Sequence, residues 1–142
     1  MHYVFESIIV GIYSVILYLL STFIIKNKEY CQLFLVGFSK HFLSGYVKIH
    51  DFYCNYGYAC YGKNDCKNGK CNSNKDLLFI ESIFEGILYL IFGFIIIESF
   101  EYFNYRLKHI YLYFLIGSSL HIIFEWLQIH KYFCDNNCNK QK

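Results

Sequence analysis

The chain has 142 residues, of which 56% are hydrophobic and 22% aromatic, while only 17% carry a formal charge. That length suits one domain, and the composition is too apolar for an ordinary soluble domain of this size. The formal net charge of +2 is small and dispersed, which excludes the concentrated basic surface that nucleic-acid binding requires.

The first predicted element is a transmembrane helix from Val4 to Ile25, in which Glu6 is the only formal charge. At about 1.5 Å per residue, this run is long enough to cross about 30 Å of hydrocarbon. A signal peptide is the alternative interpretation. However, no basic stretch precedes the apolar run and no small-residue cleavage site follows it. We therefore expect the helix to be retained.

The second predicted span, Cys31 to Ile49, is the weakest of four because Lys40, His41 and Lys48 interrupt it. Its support comes from a repeat. The segment 34–54 reads FLVGFSKHFLSGYVKIHDFYC, and the segment 114–134 reads FLIGSSLHIIFEWLQIHKYFC, in register and without a gap. Because the later segment is more apolar, the match predicts that both cross the membrane.

The third and fourth predicted spans run from Leu77 to Ile97 and from Ile110 to Ile129. The first and third spans also resemble each other, since ESIIVGIY at 6–13 matches ESIFEGIL at 81–88. The repeated unit is therefore a whole helical hairpin, and its period indicates a duplication.

The predicted fold class is an all-α integral membrane protein, a four-transmembrane-helix bundle made of two duplicated hairpins with a Cys-rich loop between helices 2 and 3. The first hairpin repeat covers residues 1–56 and the second covers 77–136. Residues 57–76 form the Cys-rich loop, and residues 137–142 form a short polar tail.

Four spans place both termini and the Cys-rich loop on one side of the membrane. Lys26 and Lys28 follow the first helix. By the positive-inside rule, they favour a cytosolic position for the 26–30 loop, which lies on the opposite side from the termini. Four lysines of the loop argue the other way. The cysteines decide the orientation, because disulfides persist in oxidising compartments. We expect the loop and both termini to be extracytosolic or lumenal.

Six cysteines lie on that side and are candidates for disulfides: Cys54, Cys60, Cys66, Cys71, Cys134 and Cys138. Asn68-Gly69 is typical of a type I′ turn, which would place Cys66 opposite Cys71 and predicts a bridge between them. The other four would join the loop to the C-terminal tail or pair among themselves. A zinc site is the alternative, but C-x2-C spacings are absent. Cys31, at the other end, is expected to be a free, small apolar residue.

Ionisable residues recur inside the spans at matching depths. A deeper polar layer is predicted from His41, Glu85 and His121, and a shallower one from Glu6, Lys48, Glu81 and Glu125. A charge at a helix centre costs about 2.5–3.5 kcal/mol, so these groups should face the bundle interior and find partners. Lys40 must snorkel, pair with a glutamate or lose its proton. His50 and His130 are expected at the membrane boundary.

Three functions fit such a layer. The first is a structural or interaction role, in which the Glu/His layer joins the two hairpins. The second is a small ion or proton channel or transporter, and the third is a membrane-embedded enzyme with a metal held by His41, His121 and Glu85. H-E-x-x-H, G-x-S-x-G, P-loop and C-x-x-C motifs are absent, which favours a protein that is not an enzyme.

No cofactor is therefore expected apart from that metal. The expected partners are the lipid bilayer and either a second copy of the chain or other membrane proteins, with no nucleic acid.

Overall fold

The computed structural model of the protein describes residues 2–26, 28–60 and 75–137, and every regular element in these ranges is helical. A short 3₁₀ turn at Tyr58–Cys60 follows the third α-helix. The six α-helices are α1 Tyr3–Ile24, α2 Glu29–Tyr46, α3 Ile49–Tyr56, α4 Lys75–Tyr102, α5 His109–Trp126 and α6 Ile129–Asn137.

Two helices of the described chain, Tyr3–Ile24 and Leu77–Tyr102, are long and apolar enough to cross a membrane. The sequence predicted four such spans, so the prediction is confirmed for the first and third only. Only 28% of the residues in the most apolar window of each helix are buried. Large apolar side chains such as Phe5, Ile12 and Leu20 are therefore exposed. An exposed apolar surface of this extent is rare on soluble monomers and is typical of contact with a membrane or a partner protein.

The helices α2 and α5 are shorter and less apolar, because each carries ionisable residues on its inner face. Each also ends three residues before the predicted limit, at Tyr46 instead of Ile49 and at Trp126 instead of Ile129. The reason is a backbone break. Lys48 and Gln128 adopt left-handed conformations, with φ of 61° and 58°, and a left-handed residue cannot continue an α-helix.

The bundle is held together mainly by contacts between the two predicted hairpins. The first helix of each packs on the second helix of the other, so that α1 lies against α5 and α2 against α4. The core between them contains buried Leu33, Val36, Tyr89, Tyr113 and Ile116. Each hairpin therefore covers the other's polar and small residues, instead of closing on itself.

Two glycines permit the close approach at these interfaces. A Cβ atom on Gly37 of α2 would lie 2.7 Å from the Tyr89 Cβ and 2.8 Å from the Glu85 carbonyl oxygen of α4. Gly117 of α5 stands in the corresponding place, where a Cβ would lie 2.3 Å from the Ser14 hydroxyl of α1. Small residues at such positions let helix backbones approach closely in membranes.

A disulfide joins Cys60 of the 3₁₀ turn to Cys134 of α6, with the two Cα atoms 5.5 Å apart. The Cys-rich region is thus linked to the C-terminal helix, which was one of the two arrangements that the sequence left open. Cys54 is buried and also disulfide-bonded. The predicted Cys66–Cys71 bridge and Cys138 lie outside the described residues. Cys31 is free as predicted, but it is exposed.

We expect Gly37→Ala to lower the free energy of unfolding by about 1–3 kcal/mol, because the new methyl group meets backbone and Cβ atoms of α4. Gly45→Ala is the matched control. Its Cβ would meet the side chain of Leu78, whose two terminal methyl groups lie nearest and can rotate away, and no backbone atom of α4 is among the three nearest atoms. Unfolding of both variants in mixed detergent micelles measures the difference. An equal loss in the two variants would contradict the proposed contact.

Candidate functional site

The two short helices α3 and α6 bend over the same end of the bundle. Each follows a left-handed residue, Lys48 or Gln128, after the break in α2 or α5. A left-handed conformation costs a residue with a side chain about 1–2 kcal/mol, so the surrounding contacts must hold both breaks in place. The bend directs His50 and His130 back towards the ends of the long helices.

The first half of this end forms what we call the lysine cluster: Lys40, His41, His50, Glu81 and Glu85. Lys40 pairs with Glu85. His41 is held between two carboxylates, with its Nδ1 3.0 Å from Glu85 Oε2 and its Nε2 3.1 Å from Glu81 Oε2. An imidazole facing carboxylate oxygens at both nitrogens has the geometry of a protonated ring, which donates from both.

The lysine cluster is extended by two ring contacts. The His50 ring lies against the His41 ring, with centroids 4.8 Å apart. The Lys40 ammonium lies 5.3 Å from the centroid of the Tyr89 ring, within the range of a cation–π interaction. Lys40 therefore follows the second of the three alternatives predicted for it, pairing with a glutamate.

The second half forms what we call the histidine cluster: Glu6, Tyr53, His121, Glu125 and His130. His121 Nε2 lies 3.4 Å from Glu6 Oε2, and the rings of His121 and His130 lie tilted against each other with centroids 4.5 Å apart. Glu125 Oε1 accepts hydrogen bonds from the Tyr53 hydroxyl at 2.7 Å and from His130 Nδ1 at 2.8 Å. The described residues place no lysine or arginine against either carboxylate of this cluster.

The clusters correspond residue by residue across the sequence repeat. His41 and His50 correspond to His121 and His130, each 80 residues later, and Glu6 corresponds to Glu81, 75 residues later. Both clusters therefore contain a Glu–His pair and a contact between two tilted histidine rings. They differ in their remaining members, because Lys40 and Glu85 correspond to Leu120 and Val10, while Glu125 corresponds to Gly45.

The predicted deeper layer is divided between the two clusters. The structure brings Glu85 and His41 together, whereas the contacts of His121 are with Glu6, His130 and Tyr53. The metal set of His41, His121 and Glu85 is thus not assembled at one point in the described chain. The helix pairing explains this, because α5 packs mainly on α1 and much less on α4.

The predicted shallower layer is divided in the same way. Glu6 and Glu125 belong to the histidine cluster, and Glu81 belongs to the lysine cluster. Lys48 is exposed at the backbone break and joins neither. Glu6 is further held by the backbone N–H of Tyr58, which donates to its Oε1 at 2.7 Å.

His50, His130 and Tyr53 are the members that the sequence did not place in the interior. The first two were expected at the membrane boundary, since they follow the predicted spans, but the left-handed breaks turn them inward. The signal was present in the repeated IH dipeptides at 49–50 and 129–130, which share their position after each break. A periodic helix pattern could not reveal it, because the pattern assumes that the helix continues.

Burial keeps the two inward histidines outside the spans neutral. Burial, together with the nearby His41, lowers the pKa of His50 to about 4. Burial lowers the pKa of His130 as well, with a further contribution from His121. Burial and the hydrogen bond to Glu125 raise the pKa of the Tyr53 hydroxyl, which therefore stays a donor. A neutral imidazole keeps a lone pair that can accept a proton or bind a metal ion.

An open cleft lies at the opposite end of the bundle, where α1 ends and α2 and α5 begin. Its lining includes Lys26, Lys28, Glu29 and His109, of which the last two lie 3.3 Å apart. This cleft does not reach the two polar clusters. The clusters are therefore confined to the end of the bundle that carries α3, α6 and the disulfide.

No protein-family model, curated protein or solved structure matches this chain.

We expect Lys40→Met and Glu85→Leu each to lower the free energy of unfolding by about 3–5 kcal/mol, because each leaves a buried charge without its partner. The double variant should lose less than either single variant. Glu85→Gln should lose less than Glu85→Leu, since the amide can still accept a hydrogen bond.

The exposed pair Glu29 and His109 provides the control, because a double-mutant cycle there should couple by no more than about 1 kcal/mol. Unfolding in mixed micelles measures both cycles. Additive losses at Lys40 and Glu85 would show that the two side chains do not pair in solution.

Proposed function

We propose that the chain is a small multi-pass membrane protein in which α1, α2, α4 and α5 all cross the bilayer. In this proposal two duplicated hairpins form a closed bundle with a structural or interaction role, and the polar clusters join the hairpins. The observation that carries the proposal is the gathering of the interior ionisable groups into two clusters beneath outward helix faces that expose many large apolar side chains.

The outward faces of the shorter helices support four spans. On α5 the exposed side chains include Leu115 and Ile122, and on α2 they include Leu43. The charged residues that make these helices less apolar are turned inward and paired, as Lys40 with Glu85. A charged residue that is paired in the interior avoids most of the free-energy cost of exposure to lipid. Composition alone therefore underestimates how well α2 and α5 could cross a membrane.

Aromatic side chains mark both ends of the proposed spans. Tyr46 and Trp126 occupy corresponding positions at the ends of α2 and α5 and are among the most exposed residues of the chain. Tyr102 and Phe103 are similarly exposed at the opposite end, where α4 finishes. Aromatic belts at both interfaces are typical of membrane proteins, because the rings are amphipathic and lie at the headgroup level.

A closed interior favours the structural role over conduction. Tyr89 and Val36 lie next to the clusters, and Leu33, Tyr113 and Ile116 continue the core; all five are at most 1% exposed. A conducting path needs polar groups or water along its whole length. Because these five residues fill the rest of the core, the polar clusters are confined to one end of the bundle. The partners would be lipid together with a second copy or another membrane protein that contacts the apolar surface.

We expect labelling to place residue 74 outside the cytosol and the 26–28 loop inside it, as two hairpins with paired spans require. An epitope at Asn74 should be accessible to an impermeant reagent in intact cells or, for an internal membrane, protected in sealed microsomes. An epitope after Lys28 provides the matched control and should behave oppositely. The same accessibility at both sites would refute a spanning α2.

We expect proteoliposomes that contain the purified chain to pass protons no faster than empty vesicles, because the apolar core interrupts the polar layer. A trapped pH-sensitive dye measures the flux after an imposed pH step, and an added ionophore verifies that the dye responds. A flux that exceeds that of empty vesicles and disappears in the His41→Ala variant would overturn the structural role in favour of a channel.

A further inference from the structure

We propose that His121, Glu125 and His130, completed by Glu6, form a binding site for a divalent transition-metal ion of the zinc class. The ligand atoms of His121, Glu125 and His130 all lie within 4.8 Å of one another. Tetrahedral ligands at about 2.1 Å from a zinc ion are about 3.4 Å apart, so small side-chain adjustments would close this group around one ion.

Two unpartnered atoms point into the same site. His121 Nε2 and Glu6 Oε2 are buried and make no hydrogen bond. They lie 3.4 Å apart, and the two side chains are each only 6% exposed. A buried polar atom without a partner is costly, and each such atom in a folded protein calls for an explanation. A metal ion between them would satisfy both atoms at the spacing of adjacent tetrahedral ligands.

The ligands are oriented by neighbours that do not themselves reach the ion. The Tyr53 hydroxyl holds Glu125, and the backbone N–H of Tyr58 holds the second oxygen of Glu6. The Cys60–Cys134 disulfide then ties the turn that contains Tyr58 to α6, which carries His130. Groups that hydrogen-bond metal ligands in this way fix their orientation and raise affinity.

The lysine cluster explains why only one half needs an ion. Its two carboxylates, Glu81 and Glu85, are accompanied by the fixed cation of Lys40. The histidine cluster also contains two carboxylates, Glu6 and Glu125, but Leu120 replaces the lysine. Gly45 stands at the position that corresponds to Glu125, so the second carboxylate of the lysine cluster comes from Glu85 of α4 instead. The lysine cluster thus contains its own cation, the ammonium group of Lys40, whereas the histidine cluster would bind a metal ion from solution.

The donor set indicates the class of metal. Two imidazoles with two carboxylates suit zinc and its transition-metal neighbours, whereas calcium and magnesium prefer oxygen ligands alone. Four protein ligands would leave no open coordination position, which is typical of a structural site. The ion would therefore join α1, α5 and α6. This inference goes beyond the proposed function and does not require four membrane spans.

Zinc binding to the full-length chain tests the proposal. The chain is purified in detergent, stripped with a chelator and titrated with zinc chloride against a chromophoric competitor. We expect one high-affinity zinc ion per chain, with magnesium and calcium failing to compete. Cobalt should give the intense visible absorption of a tetrahedral site. If the folded chain binds no zinc, the proposal is overturned.

Variants assign the bound ion to the histidine cluster. Glu125→Gln, which keeps the shape and the hydrogen bond from Tyr53, and His121→Ala should each weaken zinc binding by at least about 100-fold, while Tyr53→Phe should weaken it about 10- to 100-fold. His41→Ala in the lysine cluster is the matched control and should leave the affinity within about threefold. Circular dichroism and gel filtration verify that each variant is folded.

Undiminished binding in folded Glu125→Gln would overturn the assignment. An equal loss in His41→Ala would also overturn it.

Discussion

The need to neutralise carboxylates inside an apolar bundle is the constraint on which the rest of this structure depends. Glu6, Glu85 and Glu125 are all removed from bulk water, and an unpaired buried charge would destabilise the fold by several kcal/mol. Their partners lie on other helices in each case. Because α4 carries Glu85 and α2 carries Lys40, satisfying this charge and packing the two hairpins together are one event.

This constraint also explains the pairing of helices. A hairpin that closed on itself would pack α1 on α2 and α4 on α5, but those are the smaller interfaces. The Glu–His pairs and the glycine contacts instead lie between α1 and α5 and between α2 and α4. Gly37 against Tyr89 and Gly117 against Ser14 bring the backbones close enough for the short polar reach of glutamate and histidine. Close packing and charge pairing therefore support each other at both interfaces.

The two halves have similar backbones and different chemistry. The left-handed breaks at Lys48 and Gln128 recur at corresponding positions, and so do the contacts between histidine rings. Different residues at three surrounding positions give one cluster an ammonium group and leave the other with unpartnered buried atoms. Such a difference within one bundle is a more specific indication of separate roles than either cluster would be alone, since structural pairing accounts for the lysine cluster completely.

The sequence by itself determined that the chain is helical, where its two long apolar helices lie, and that most ionisable residues within the predicted spans face inward, although Lys48 does not. These features are local, because hydrophobic runs and helical spacing are read along the chain. It also determined that His41 and His121 correspond, since the repeat is in register. The sequence also predicted that His41 would be buried close to Glu85, because the two residues lie at the same depth in their predicted spans.

Only the tertiary structure decided which partners meet. The depth of a residue along a helix does not specify how the helix is rotated or which helix lies beside it. The sequence therefore placed Glu85, His41 and His121 in one layer, whereas the observed pairing of α5 with α1 brings His121 to Glu6. The backbone breaks were equally hidden, because neither Lys48 nor Gln128 is a residue that favours a positive φ angle. Those two dihedral angles turn α3 and α6 over the bundle and bring His50 and His130 inward. Sequence periodicity could not anticipate this, since surrounding contacts hold the strained conformation in place.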